Sequence, residues 1–157
     1  MFLFLIIFAL IQLTFFILSL TRIRNSKEHI GFIYSWAFVF GAFVWEDLLV
    51  FSFFNFLVIL YVLLIKDIRQ GLLIFTAFWM IRSAGETLYF FMQQFTQPLH
   101  YPHDIHWHFS VMQKLFGKIS NQKCFIILQV MFQIVMVLAV SILILLLQNW
   151  KYIPKGF

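Results

Sequence analysis

From Cys124 to Leu147 the chain carries no charged side chain, and Gln129, Gln133 and Ser141 are its only polar interruptions. A run of this length exceeds the roughly 20 apolar residues that cross a ~30 Å hydrocarbon core as an α-helix. In hydrocarbon the backbone must satisfy its own amides and carbonyls within the segment, which selects the helix over an open strand. Comparable apolar blocks occupy Met1 to Leu20, Ile30 to Ile65 and Gly71 to Phe95. With 63% hydrophobic and only 11% charged residues, neither a soluble monomer nor a disordered chain fits. The expected class is an integral membrane protein with an all-α fold, a polytopic bundle of four to five transmembrane helices in a single domain over residues 1–157.

The span boundaries follow from length and charge. Met1 to Leu20 has no basic stretch before it, no small-residue cleavage site, and Arg22 and Arg24 after it. It reads as a retained anchor with its N-terminus outside, not as a signal peptide. The block from Ile30 to Ile65 would reach about 54 Å as one straight helix, too long for a single crossing. Two short spans, about 30–45 and 48–65, turning near Trp45-Glu46-Asp47, are the economical solution. One long tilted helix is the rival. The hairpin is favoured because it sets the basic clusters at 22–27 and 66–69 on one inner side. Spans at about 2–20, 30–45, 48–65, 71–95 and 124–147 result. A four-span arrangement stays open, because five spans leave Lys114, Lys118 and Lys123 outside, against the charge rule. Within the 96–123 loop, Val111, Met112, Leu115, Phe116 and Ile119 recur at helical spacing, so a short helix lying on the membrane surface is expected there.

The net charge of +5 comes from eleven Lys and Arg against six acids. The basic residues cluster between apolar blocks, where they mark inner-side loops and contacts with anionic lipids, and no basic stripe with a stacking platform points to nucleic acid. The single cysteine, Cys124, has no intrachain disulfide partner and heads an apolar run as a buried thiol. The partners expected are the bilayer itself, anionic lipids and a homo-oligomer or membrane-complex partner. Which membrane holds the chain is not encoded.

Arg82 and Glu86 interrupt the third block. Ionisable groups at mid-span cost roughly 2.5–3.5 kcal/mol each on insertion scales, so they turn away from lipid. Their i, i+4 spacing puts both on one face, and Tyr89 and Gln93 extend the stripe. Gln122, Gln129 and Gln133 recur at seven and four, forming a second polar face. Glu46 and Asp47, with Gln12 on the first span, complete the candidate polar interior. Such groups serve as hydrogen-bonding glue between helices, or they line a site for an ionic or zwitterionic group.

Four of the five histidines fall between His100 and His108. His103, Asp104, His106 and His108 supply metal-ligating atoms, although the spacing matches no helical zinc motif. An interfacial loop with His, Trp and Tyr at headgroup level is the plainer reading. No cofactor is required by any motif, and the cluster leaves room for a single divalent metal. Three functions follow: a non-enzymatic protein that binds or conducts a polar or ionic solute or lipid headgroup through the Arg/Glu seam; an accessory subunit of a larger membrane complex, whose polar seams would face outward in an isolated chain; and a metal-dependent membrane enzyme built on the histidine loop.

Overall fold

The computed structural model describes residues 2–25, 44–95 and 114–156. They form four long helices: α1 (Phe2–Asn25), α2 (Trp45–Ile65), α3 (Ile68–Gln93) and α4 (Asn121–Gln148). Among the described residues there is no strand, only an isolated antiparallel bridge between Asp67 and Gly156. The all-helical class read from the apolar runs is therefore correct. α1, α2 and α4 are each long and apolar enough to cross a membrane. With 26 residues, α3 spans about 39 Å and is also long enough, but its polar residues make it the least apolar of the four. The expected span at 30–45 falls almost wholly outside the described residues.

Two compact units divide the chain: Met1–Phe75 with Trp150–Phe157, and Thr76–Asn149. In the first, α2 begins where Val44 adopts an extended backbone (φ −129°, ψ 163°). That break excludes one continuous helix over 30–65. Glu46 and Asp47 therefore occupy the first turn of α2 and not a turn between two spans, and there the helix dipole favours carboxylates. At its other end Lys66 takes the left-handed conformation (φ 59°, ψ 33°) and donates its N–H to the Val62 carbonyl at 2.8 Å. This αL cap stops α2 and lets α3 start at Ile68.

α1 and α2 pack antiparallel. Arg22 lies 5.9 Å from the Trp45 ring centre, Phe16 lies 5.2 Å from Phe53, and Phe4 and Phe8 share a groove with Ile59 and Val62. The buried positions are mostly small or polar on α1 (Ala9, Gln12, Ser19) and larger on α2 (Leu48, Phe51, Ile59, Val62) with Ser52 among them. Small residues let helices approach in lipid, where dispersion replaces the hydrophobic drive. Ser19 and Ser52 donate to the carbonyls of Phe15 and Leu48, so neither hydroxyl is left unsatisfied. The antiparallel register corrects one expectation: Arg22 and Arg24 stand at the opposite end of the α1–α2 pair from Lys66 and Arg69.

The C-terminal segment folds back on the α2–α3 corner of its own unit. The Ile68 N–H donates to the Lys155 carbonyl at 2.9 Å. Arg69 donates to both carboxylate oxygens of Asp67 (2.8 and 2.6 Å) and to the Trp150 carbonyl (3.2 Å), with its guanidinium 5.0 Å from the Trp150 ring centre. Asp67 and Arg69 are nearly buried there. The hydrogen bonds from Arg69 hold the Asp67 carboxyl below the usual carboxylate range.

In the second unit, residues 114–116 are helical, but Gly117 turns left-handed (φ 67°) and residues 118–120 leave the helix. The expected surface helix therefore stops before Ile119. The Ser120 side chain then caps α4 by accepting from the Lys123 N–H at 3.3 Å, which starts α4 earlier than the apolar run alone implies.

Candidate polar seam on α3

Within the second unit, α3 is polar on its covered face and apolar on its open one. Thr76, Ser83, Glu86, Phe90 and Gln93 are buried, at spacings of seven, three, four and three, a single stripe of the helix. Ile81 and Leu88 on the other side are 68% and 63% exposed, with Phe91, Met92 and Phe95 also open. A water-facing helix has the reverse arrangement. This one suits a helix bathed in lipid that keeps its polar groups inside.

Arg82 and Glu86 form the expected i, i+4 ion pair, with side chains 24% and 8% exposed. Mutual neutralisation lowers the cost of holding two charges away from water. Tyr89, half-buried, sets its ring edge-on to Phe90 at 5.3 Å. Beside the ion pair, the Oγ of Ser83, the Oγ1 of Thr87 and the Oε1 of Gln93 are buried with no hydrogen-bond partner among the described residues. Ser19 and Ser52 return their hydroxyls to the helix backbone, whereas Ser83 and Thr87 do not. Each buried polar atom left unmatched costs about 1–3 kcal/mol. The stripe thus keeps unused hydrogen-bonding capacity alongside a charge pair.

Toward its C-terminal end the stripe closes on α4. Phe90 stacks on Phe125 and Phe132, at 6.2 and 5.8 Å between ring centres. Cys124, Phe125 and Leu128 are fully buried around it. Gln94 donates to the Oε1 of Gln129 at 2.6 Å. Gln94 was not singled out from the sequence. The signal was the adjacent Gln93-Gln94 pair, either of which can face a neighbour at a helix end, and the structure uses both, Gln93 in the stripe and Gln94 in the tie.

The three glutamines expected to share a polar face of α4 do not act together. Gln122 is exposed, Gln129 is tied to Gln94, and Gln133 is half-buried beside a shallow hollow with Val130, Ile134, Val137 and Leu138. Glu46 and Asp47 stand in the first turn of α2, in the first unit, and the Glu46 Oε2 is buried with no hydrogen-bond partner among the described residues. His103, Asp104, His106 and His108 lie outside the described residues. Comparison with protein families, with curated proteins and with solved structures finds none that matches the chain.

Proposed function

We propose that the chain is a small, non-enzymatic multi-pass membrane protein that binds or conducts a polar or ionic solute, or a lipid headgroup, through the α3 seam. The observation that carries this reading is the set of buried, unmatched oxygens on Ser83, Thr87 and Gln93 beside the Arg82–Glu86 pair. A seam that served only as glue would spend these groups on neighbouring helices, as Gln94 and Gln129 do. Three helices of spanning length and apolarity support the membrane setting. The antiparallel packing of α1 against α2 fits a transmembrane helical bundle. The accessory-subunit alternative expects outward-facing polar seams, and the burial of Ser83, Glu86 and Gln93 favours the solute reading over it.

Thermal unfolding of the purified chain in mild detergent, titrated separately with phosphate, acetate, glycine and choline, tests the proposal. A ligand at a hundred times its Kd stabilises the folded state by about 2.7 kcal/mol. The expected result is stabilisation by at least one of these classes, lost in Arg82→Gln and Glu86→Gln. No stabilisation by any of them, or stabilisation that survives both substitutions, contradicts it.

A further inference from the structure

The first unit holds a second candidate site, independent of the α3 seam. A groove of about 220 Å³ opens between the start of α1, the end of α2 and the start of α3, walled by Phe4, Phe8, Val58, Ile59, Ile68 and Leu72. The surface it presents is wholly apolar. Ile68 is both part of this wall and the residue whose N–H is held by the Lys155 carbonyl, so the apolar groove ends where the C-terminal segment is fastened.

Charge is concentrated at that end. Among the described residues of this corner, Lys66, Arg69, Lys151 and Lys155 accompany one acid, Asp67, and Arg69 is already engaged by it. Lys66, Lys151 and Lys155 are exposed. At the far end of the α1–α2 pair, by contrast, Arg22 and Arg24 in the last turn of α1 share that end with two acids, Glu46 and Asp47, in the first turn of α2. Trp150, with its ring against Arg69, and the open Tyr152 supply the aromatic side chains that rest at a membrane–water interface. An apolar channel of acyl character leading to an unbalanced cluster of lysines is complementary to one molecule of the bilayer itself.

We propose that this corner binds a single anionic phospholipid, with part of an acyl chain in the groove and the phosphate against Lys66 and Lys155. Lys66 lies two residues before Ile68 in the αL turn, and the Lys155 carbonyl accepts the Ile68 N–H, so the backbone ties both lysines to the residue at which the groove ends.

Native mass spectrometry of the full chain, offered equimolar phosphatidylglycerol and phosphatidylcholine in neutral detergent, tests this directly. Wild type should retain one phosphatidylglycerol in preference to phosphatidylcholine. The variant Lys66→Gln/Lys155→Gln, altered only at exposed positions, should lose about fivefold in that preference for each lysine removed. Val58→Phe, which fills the groove, should reduce retention of both lipids while far-UV circular dichroism reports unchanged helicity. Equal retention of the two lipids by wild type, or undiminished phosphatidylglycerol preference in the lysine variant, overturns the proposal. So does full lipid retention by a Val58→Phe chain of native helicity.

Discussion

Gln94 reaches across to Gln129 at 2.6 Å, and its second amide hydrogen goes to the Phe90 carbonyl at 3.2 Å, so one side chain both finishes α3 and fastens it to α4. Interhelical hydrogen bonds in membrane proteins contribute about 0.6 kcal/mol on average and up to about 2. Gln129→Leu and Gln94→Leu should each lower unfolding free energy within that range. In a double-mutant cycle read by steric trapping, the pair together should cost less than the sum of the two, because the second substitution removes a bond already broken.

Removing one member of the Arg82–Glu86 pair should be far more damaging. Arg82→Ala leaves the nearly buried Glu86 carboxylate without its cation, a change that costs about 3–5 kcal/mol where both partners are desolvated. Folded yield and thermal midpoint should both drop. Arg82→Gln/Glu86→Gln should recover most of the loss, since no unpaired charge is left. A single Arg82→Ala variant as stable as wild type would show that the pair is not shielded from water.

Close packing at the α2–α3 corner makes Gly71 hard to replace. A Cβ built there would overlap the Cγ2 methyl of Val62, itself only 3% exposed. Gly71→Ala should cost about 1–3 kcal/mol through overpacking. Val62→Ala introduced alongside it should restore part of the loss, measured as the thermal midpoint of the double variant against each single one.

The fastening of the C-terminal segment should depend on acid. Hydrogen bonds from Arg69 favour the ionised Asp67, so its folded-state pKa lies below the unfolded value. The contribution is therefore present above the usual carboxylate range and is lost as pH falls through the lowered, folded-state value. Trp150 emission, in a chain whose other tryptophans are phenylalanine, should stay constant above about pH 5 and shift on acidification below the ordinary carboxylate range. Asp67→Asn should show the released spectrum at every pH.

Much of the architecture was legible because membrane helices declare themselves by length. The unbroken run after Cys124 identified α4, and the i, i+4 placement of Arg82 and Glu86 identified the polar face of α3. The same spacing rule missed Gln94, since a residue just past a helix end no longer follows the stripe. The α1–α2 register, the overlap of Gly71 with Val62 and the fastening of Arg69 to Trp150 join residues distant in sequence or decided by a turn. No periodicity encodes such contacts. Local charge counting also placed the 22–27 and 66–69 clusters on one side, whereas the antiparallel pair separates Arg22 and Arg24 from Lys66 and Arg69.

The central claim is that the covered face of α3 admits a polar occupant from water. Ser83→Cys in a Cys124→Ala background, reconstituted in liposomes and exposed to a membrane-impermeant, positively charged methanethiosulfonate, measures this most directly, with the lipid-facing Leu88→Cys as its control. Labelling at position 83, slowed by a ligand that stabilises the protein and missing at position 88, is the predicted result. A position 83 as inert as position 88, in a chain of native helicity, would make the seam packing between helices and contradict the proposed function.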